Sequence, residues 1–194
     1  MSAEQAERFD PRAMVKGTMV RAHLGWALHR LGNSLGRVQS LLSGEPLDVV
    51  TRTVLATDWV RFEDLVAVDR AIARAVGGDP EEVFRELGRH SAALNLQGVY
   101  RSFVSAEPHR FFERMTVLHH QFQSFGKSGY ERLGERAGRI RLEEYTAYSR
   151  VFCLAGRGYY EEALRLMHVP GPVRVEETAC LCLGAPACVY ELSW

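Results

Sequence analysis

The sequence predicts an α+β fold, with a helical N-terminal part packed on a small antiparallel sheet that forms late in the chain. Three observations predict it. Apolar residues recur every three to four positions through most of the chain up to Met167, the period of a helix with one buried face. Arg139-Ile140-Arg141-Leu142-Glu143 then alternates apolar and charged side chains, as a half-buried strand does. Finally, Val173 to Cys182 and Cys188 to Trp194 read as two strands joined by a turn from Leu183 to Ala187, so a hairpin closes the chain.

Taken in order, residues 1–13 read as a flexible tail with Asp10-Pro11 near its end, and residues 14–194 as one domain. Met14 to Val20 leads into a helix on which Val20, Leu24, Ala27, Leu28 and Leu31 share a face, and Gly32-Asn33 stops it. A short helix spans Pro46 to Leu55. The next runs from Trp59 to Val76, with Phe62, Leu65, Val66 and Ile72 on its apolar face and Gly77-Gly78 at its end. Asp69 falls on that same face, so it must find a partner or a way to water.

Asp79-Pro80-Glu81-Glu82 is a helix start: Asp79 caps, Pro80 fills the first turn and Glu82 supplies the box carboxylate. That helix carries Val83, Phe84 and Leu87 and heads through Gly88 toward Tyr100 and Phe103. Pro108 opens another, bearing Phe111, Phe112, Met115, Leu118, His119, Phe122 and Phe125, which Gly126-Lys127-Ser128-Gly129 breaks. Tyr145 to Met167 returns to helical spacing, and Pro170-Gly171-Pro172 ends it.

Composition excludes some classes. Lys plus Arg (24) balance Asp plus Glu (24), so no net basic field draws nucleic acid or an anionic membrane surface. No apolar run approaches the roughly 20 residues of a membrane span. The polar N-terminus lacks a signal-peptide core, which predicts a cytoplasmic protein. In a reducing compartment its four cysteines point to metal ligands or buried thiols before disulfides.

Three of those cysteines, Cys180, Cys182 and Cys188, lie in the closing hairpin, and Cys153 lies on the helix before it. Cys180 and Cys188 would converge across the turn, with Cys153 pinning helix to hairpin. Glu177 would add an oxygen ligand if the strand bulges. In a regular strand it points away from the face that Cys180 and Cys182 share. Two metal sets stand open on this reading: Cys153, Glu177, Cys180 and Cys188, or the four cysteines together. The plain alternative is four small buried hydrophobes.

The pattern Glu177-x-x-Cys180-x-x-x-Gly184-x-x-x-Cys188 resembles the C-terminal signature of the 4-vinyl reductase domain, found in sensory modules of aromatic-responsive bacterial transcription activators. The resemblance implies a structural zinc held by Cys153, Glu177, Cys180 and Cys188, with Cys182 extra to the pattern. Val15 to Val20, Pro80 to Arg89 and Val189 to Trp194 are similar to an uncharacterised family of comparable length abundant in myxobacteria. The first two are also similar to haem-dependent nitric oxide/oxygen sensors, which share one α+β fold with the TRAPP trafficking subunits. Homodimerisation is implied by the same likeness.

Met115-Thr116-Val117-Leu118-His119-His120-Gln121-Phe122 resembles the helix that carries the proximal histidine of the haem sensors, with His119 at the ligand position. Those sensors hold the haem propionates with a Tyr-x-Ser-x-Arg motif. Here the compacted Tyr148-Ser149-Arg150 departs from it and counts against haem.

No Walker pattern, nucleophile elbow or acid–base pair suggests an enzyme. The expected function is therefore a non-enzymatic sensing or regulatory domain: a structural zinc, plus an apolar pocket for a small hydrophobic or aromatic ligand. Tyr100, Phe103, Phe111, Phe112, Met115, His119 and Phe122 are the candidate lining. The alternatives are a scaffold subunit with a filled core, and a haem-based gas sensor using His119.

Overall fold

The computed structural model describes residues 6–98, 101, 104 and 107–194. Strand β1 (Met14–Lys16) runs into helix α1 (Gly17–Arg30). Two short helices follow, α2 (Gly36–Gln39) and α3 (Gly44–Thr51). Strand β2 (Trp59–Arg61) then pairs antiparallel with β1. The helix expected from Trp59 thus begins only at Phe62, because three residues before it are extended to pair. Such a two-stranded contact, distant in sequence, leaves no periodic signal.

The long helices are α4 (Phe62–Val76) and α5 (Pro80–Gln97), joined by Gly77 and Gly78. Asp79 caps α5 as predicted, its Oδ1 accepting from Glu81 N–H at 3.1 Å. Glu82 does not complete a box. It pairs instead with Arg85 and Arg89 on the same helix. Tyr100 and Phe103, toward which this helix was expected to run, lie outside the described residues.

Helix α6 (Pro108–Val117) is capped by Glu107, and α7 (His119–Phe122) follows after a break at Leu118. The stretch was expected to be one helix as far as Phe125. Phe125 instead lies beyond it, buried against Phe62 at 5.1 Å between ring centroids. The residues expected only to break the helix open a strand, β3 (Lys127–Gly134), which pairs with β4 (Ala137–Glu143). Helix α8 (Arg150–Leu166) starts at its cap Ser149 rather than at Tyr145. Strands β5 (Arg174–Ala179) and β6 (Cys188–Ser193) close the chain.

The four late strands form one antiparallel sheet in the order β3-β4-β6-β5, as the α+β prediction requires. β4 is central because Ile140 and Leu142 are buried while the residues between them are not. Helices α5 and α8 cross in backbone contact. A Cβ on Gly88 would stand 1.8 Å from the Ala155 carbonyl oxygen, and one on Gly158 would stand 2.0 Å from that of Arg85. The crossing fixes α8 over the sheet, where Tyr190 Oη of β6 donates to the Cys153 carbonyl at 3.0 Å.

Residues 6–13, read from sequence as a tail, are tied to this body. Ala6 N–H donates to the Cys182 carbonyl at 3.0 Å, Arg8 exchanges backbone bonds with Tyr148, and Glu7 meets Arg70 and Ser149. No described helix is long and apolar enough to cross a membrane.

Candidate functional site

Two neighbouring sites sit under the sheet. The first is the thiol cluster. The ladder between β5 and β6 slips between Glu177 and Ala179, so the strand bulges where a regular one would have turned Glu177 away. A single 3-10 turn, Leu181–Leu183, then ends at Gly184, whose φ of 86° is the left-handed conformation that glycine adopts without strain. One ligand atom each from Cys153, Glu177, Cys180 and Cys188 lies within 4.8 Å of the others. Cys153 Sγ is 3.7 Å from both Cys180 Sγ and Cys188 Sγ. Cys182 is fully buried on the turn and hydrogen-bonds Cys153 and Cys180, but it is not one of the four that converge.

The charge balance here is unusual. Arg150 pairs with Glu177 Oε2, yet Glu177 Oε1 is buried with no partner among the described residues. Burial pushes the Glu177 carboxyl up to about 7, only partly opposed by Arg150. Hydrogen bonds from Cys153, Cys182 and Cys188 hold the Cys180 thiol well below its ordinary value, and Arg150 Nη1 lies 3.9 Å from its Sγ. An orphaned carboxylate oxygen beside a thiolate and two thiols is a donor set suited to a thiophilic metal ion.

The second site is a cavity of about 140 Å³ enclosed by α1, α5, α6–α7, α8 and the inner face of the sheet. Cys153 and Cys188 belong to its wall as well, so the two sites share a boundary. Of the expected lining, Phe112, Met115, His119 and Phe122 are in place. Phe111 is not. It is fully buried in the core, edge-on to Phe112 at 5.0 Å. The cavity is smaller than the roughly 300 Å³ at which ligand pockets usually begin.

His119 Nε2 lies 3.1 Å from the Phe125 carbonyl and 3.0 Å from Gln123 Nε2, and burial lowers the ring's pKa. Gln123 in turn donates to Tyr145 Oη at 2.5 Å. Sequence reasoning missed Gln123, and with it His23 and Ser91, which also line the cavity. The signal for His23 was half present. Asp69 on an apolar face demanded a buried partner, and that partner is His23 Nδ1 at 2.7 Å. Its identity could not be read because the two are 46 residues apart. Ser91 continues the face of Gly88 and Asn95 at helical spacing, a line of small and polar residues on α5 that faces this cavity.

No family model matches this chain, and no curated protein matches it. Solved structures do. A structure from a study of haem distortion in the H-NOX family aligns at a TM-score of 0.69 and 14% identity, over 92% of this chain and 94% of that one. An oxygen-binding H-NOX domain related to soluble guanylate cyclases, solved as its oxygen complex, gives the same four values. The Fe(II) unliganded H-NOX protein of K. algicida, in mutant form, aligns at 0.65 and 8% identity over 92% and 95%. At these identities the likeness establishes the fold. That fold agrees with the haem-sensor superfamily expected from sequence, while the 4-vinyl reductase and myxobacterial families find no support among the matches.

The comparisons overturn the expectation about cofactors. Zinc was expected and haem disfavoured, yet the solved proteins that share this architecture over nine-tenths of the chain are haem domains. The residues present fit haem in kind: the His119 imidazole stands in a wall rich in aromatic side chains that also includes Tyr148. Arg150, the expected propionate partner, is turned to Glu177. The cavity, at about 140 Å³, is also smaller than a porphyrin needs, so haem would require it wider than in this structure.

Proposed function

We propose that this chain is a sensory domain whose enclosed cavity takes haem, with His119 as the axial ligand. The observation that carries the reading is an imidazole in the aromatic wall of an enclosed cavity, within an architecture shared with haem domains. His119 would hold the iron, Phe112 and Phe152 would pack on the porphyrin, and Tyr148 would offer its hydroxyl to the carboxylates, Ser149 being committed to Glu7 and to the start of α8. Bound haem would supply the gas-binding chemistry, and the chain would position it and exclude water. Titrating the purified chain with haem tests this. One equivalent should give a saturable Soret band that His119→Gly abolishes and added imidazole restores. A spectrum that never departs from free haem would end the proposal.

A second reading concerns the thiol cluster and is favoured by the orphaned Glu177 oxygen. We infer that Cys153, Glu177, Cys180 and Cys188 are ligands of a thiophilic metal ion distinct from the haem iron. Elemental analysis should find one equivalent in the wild type and none in Cys188→Ser. Metal-free wild-type protein with unchanged stability would refute it.

A further inference from the structure

Two buried polar side chains line the cavity and are used by neither the haem reading nor the thiol cluster. His23 on α1 and Ser91 on α5 both line it, 1% and 4% exposed respectively. Asp69 on α4, itself 1% exposed, takes His23 Nδ1 at 2.7 Å. That bond fixes the ring's orientation. In the neutral ring with Nδ1–H donating to the carboxylate, Nε2 is the nitrogen left for a ligand, as an acceptor. Ser91 Oγ is buried with no hydrogen-bond partner among the described residues. An unpaired buried hydroxyl costs stability, so one that persists at a cavity wall points to a bound group that satisfies it.

The two groups are complementary to one chemical class. A hydroxyl can donate to His23 Nε2 and accept from Ser91 O–H at the same time, whereas a ketone or ether can only accept. Most of the remaining wall is apolar or aromatic, with Met19, Phe112, Phe122, Ile140, Leu142 and Phe152, and polar side chains such as Asn95, Thr116, His119 and Gln123 interrupt it. At about 140 Å³ the cavity matches engineered apolar cavities of roughly 150 Å³ that bind benzene. We propose that the haem-free, closed form of this domain binds a small uncharged alcohol on a compact hydrocarbon body, with its hydroxyl held between His23 and Ser91. The inference rests on the cavity being the ligand site of a sensory domain. It does not rest on haem.

The test is run on the haem-free full chain with cyclohexanol, cyclohexanone and cyclohexane as probes, followed by NMR. Cyclohexanol should bind about tenfold more tightly than cyclohexanone, the worth of one well-made hydrogen bond, and should shift the His23 ring nitrogens. Ser91→Ala should bring the two dissociation constants together while keeping a melting temperature equal to or above wild type, since it removes an unpaired hydroxyl. Equal binding of alcohol and ketone by the wild type would overturn the proposal. So would a tenfold preference that survives Ser91→Ala, or saturable shifts that map away from α1 and α5. Failure of haem to bind overturns the axial-ligand reading alone, because this titration contains none.

Discussion

His90 on α5 shows how a single half-buried ring sets a pH response. Burial lowers its pKa, and the imidazoles of His23 and His29 add to the effect while Glu86 opposes it. The folded chain therefore resists protonating a group that the unfolded chain protonates at its ordinary value of about 6.5. Stability from this residue is complete above that value and is lost as pH falls through it toward the lower, folded pKa. Urea unfolding should show the midpoint falling between about pH 7 and pH 5.5, with a shallower slope in His90→Gln. The same slope in both proteins would remove His90 as the cause.

At the same scale, His109 shows a titratable group spent on structure. Its Nδ1 meets Tyr130 Oη at 2.6 Å and its Nε2 the Glu135 carbonyl at 2.9 Å, so both nitrogens are committed. The sequence reading gave it no site role, and its geometry leaves none. His23 and His119 differ because their rings sit in a cavity wall. Nothing in the four histidine positions along the sequence distinguishes these cases.

Among elements, the crossing of α5 and α8 positions both sites. It places Cys153 over the hairpin and brings Gly88 and Ser91 of α5 to the cavity that α8 also walls. Two glycines permit the approach, and neither could be interpreted from sequence, where Gly88 read only as a continuation or kink. Gly88→Ala should cost about 3 kcal/mol or more, because the new methyl meets the backbone of Ala155, which cannot rotate away. Gly129→Ala on β3 is the control. Nothing lies within 4 Å of its added Cβ, so its effect should stay within about 0.5 kcal/mol. Comparable unfolding midpoints for the two variants would contradict the crossing as described.

The elements that sequence reasoning misplaced share one cause. β1 and β2 pair across more than forty residues, and β3 begins inside a Gly-Lys-Ser-Gly run that reads as a break. β3 is an edge strand with mixed exposure, so no apolar alternation marks it. Helices with a wide buried face, such as α4, were legible because the apolar period runs along a continuous stretch to its Gly77 stop.

Across the whole molecule, the thiol cluster joins parts of the chain that local packing alone joins weakly. It ties α8 to the β5–β6 hairpin, and through Ala6 and Cys182 the N-terminal segment leans on the same turn. If a metal ion occupies it, removal loosens all three together. Chelation of the metal-loaded chain should lower the melting temperature by about 5 °C or more, reversibly on adding metal back, and Cys188→Ser should melt near the chelated value. An unchanged melting temperature after verified metal loss would show that the cluster braces nothing.

The sequence by itself determined the α+β class, the main helices, the closing hairpin and the candidates from which the cluster is drawn. It did so because period, caps and short-range spacing are local properties of a chain. Only the tertiary structure decided that Glu177 joins the cysteines, because a one-residue slip in the β5–β6 ladder turns its side chain to the other face. Tertiary structure alone also made the cavity, closing it with residues from α1, α5, α7, α8 and three strands. The His23–Asp69 pair and the unpartnered Ser91 belong to that second category. Their meeting depends on how three helices, α1, α4 and α5, pack, which no window of sequence contains.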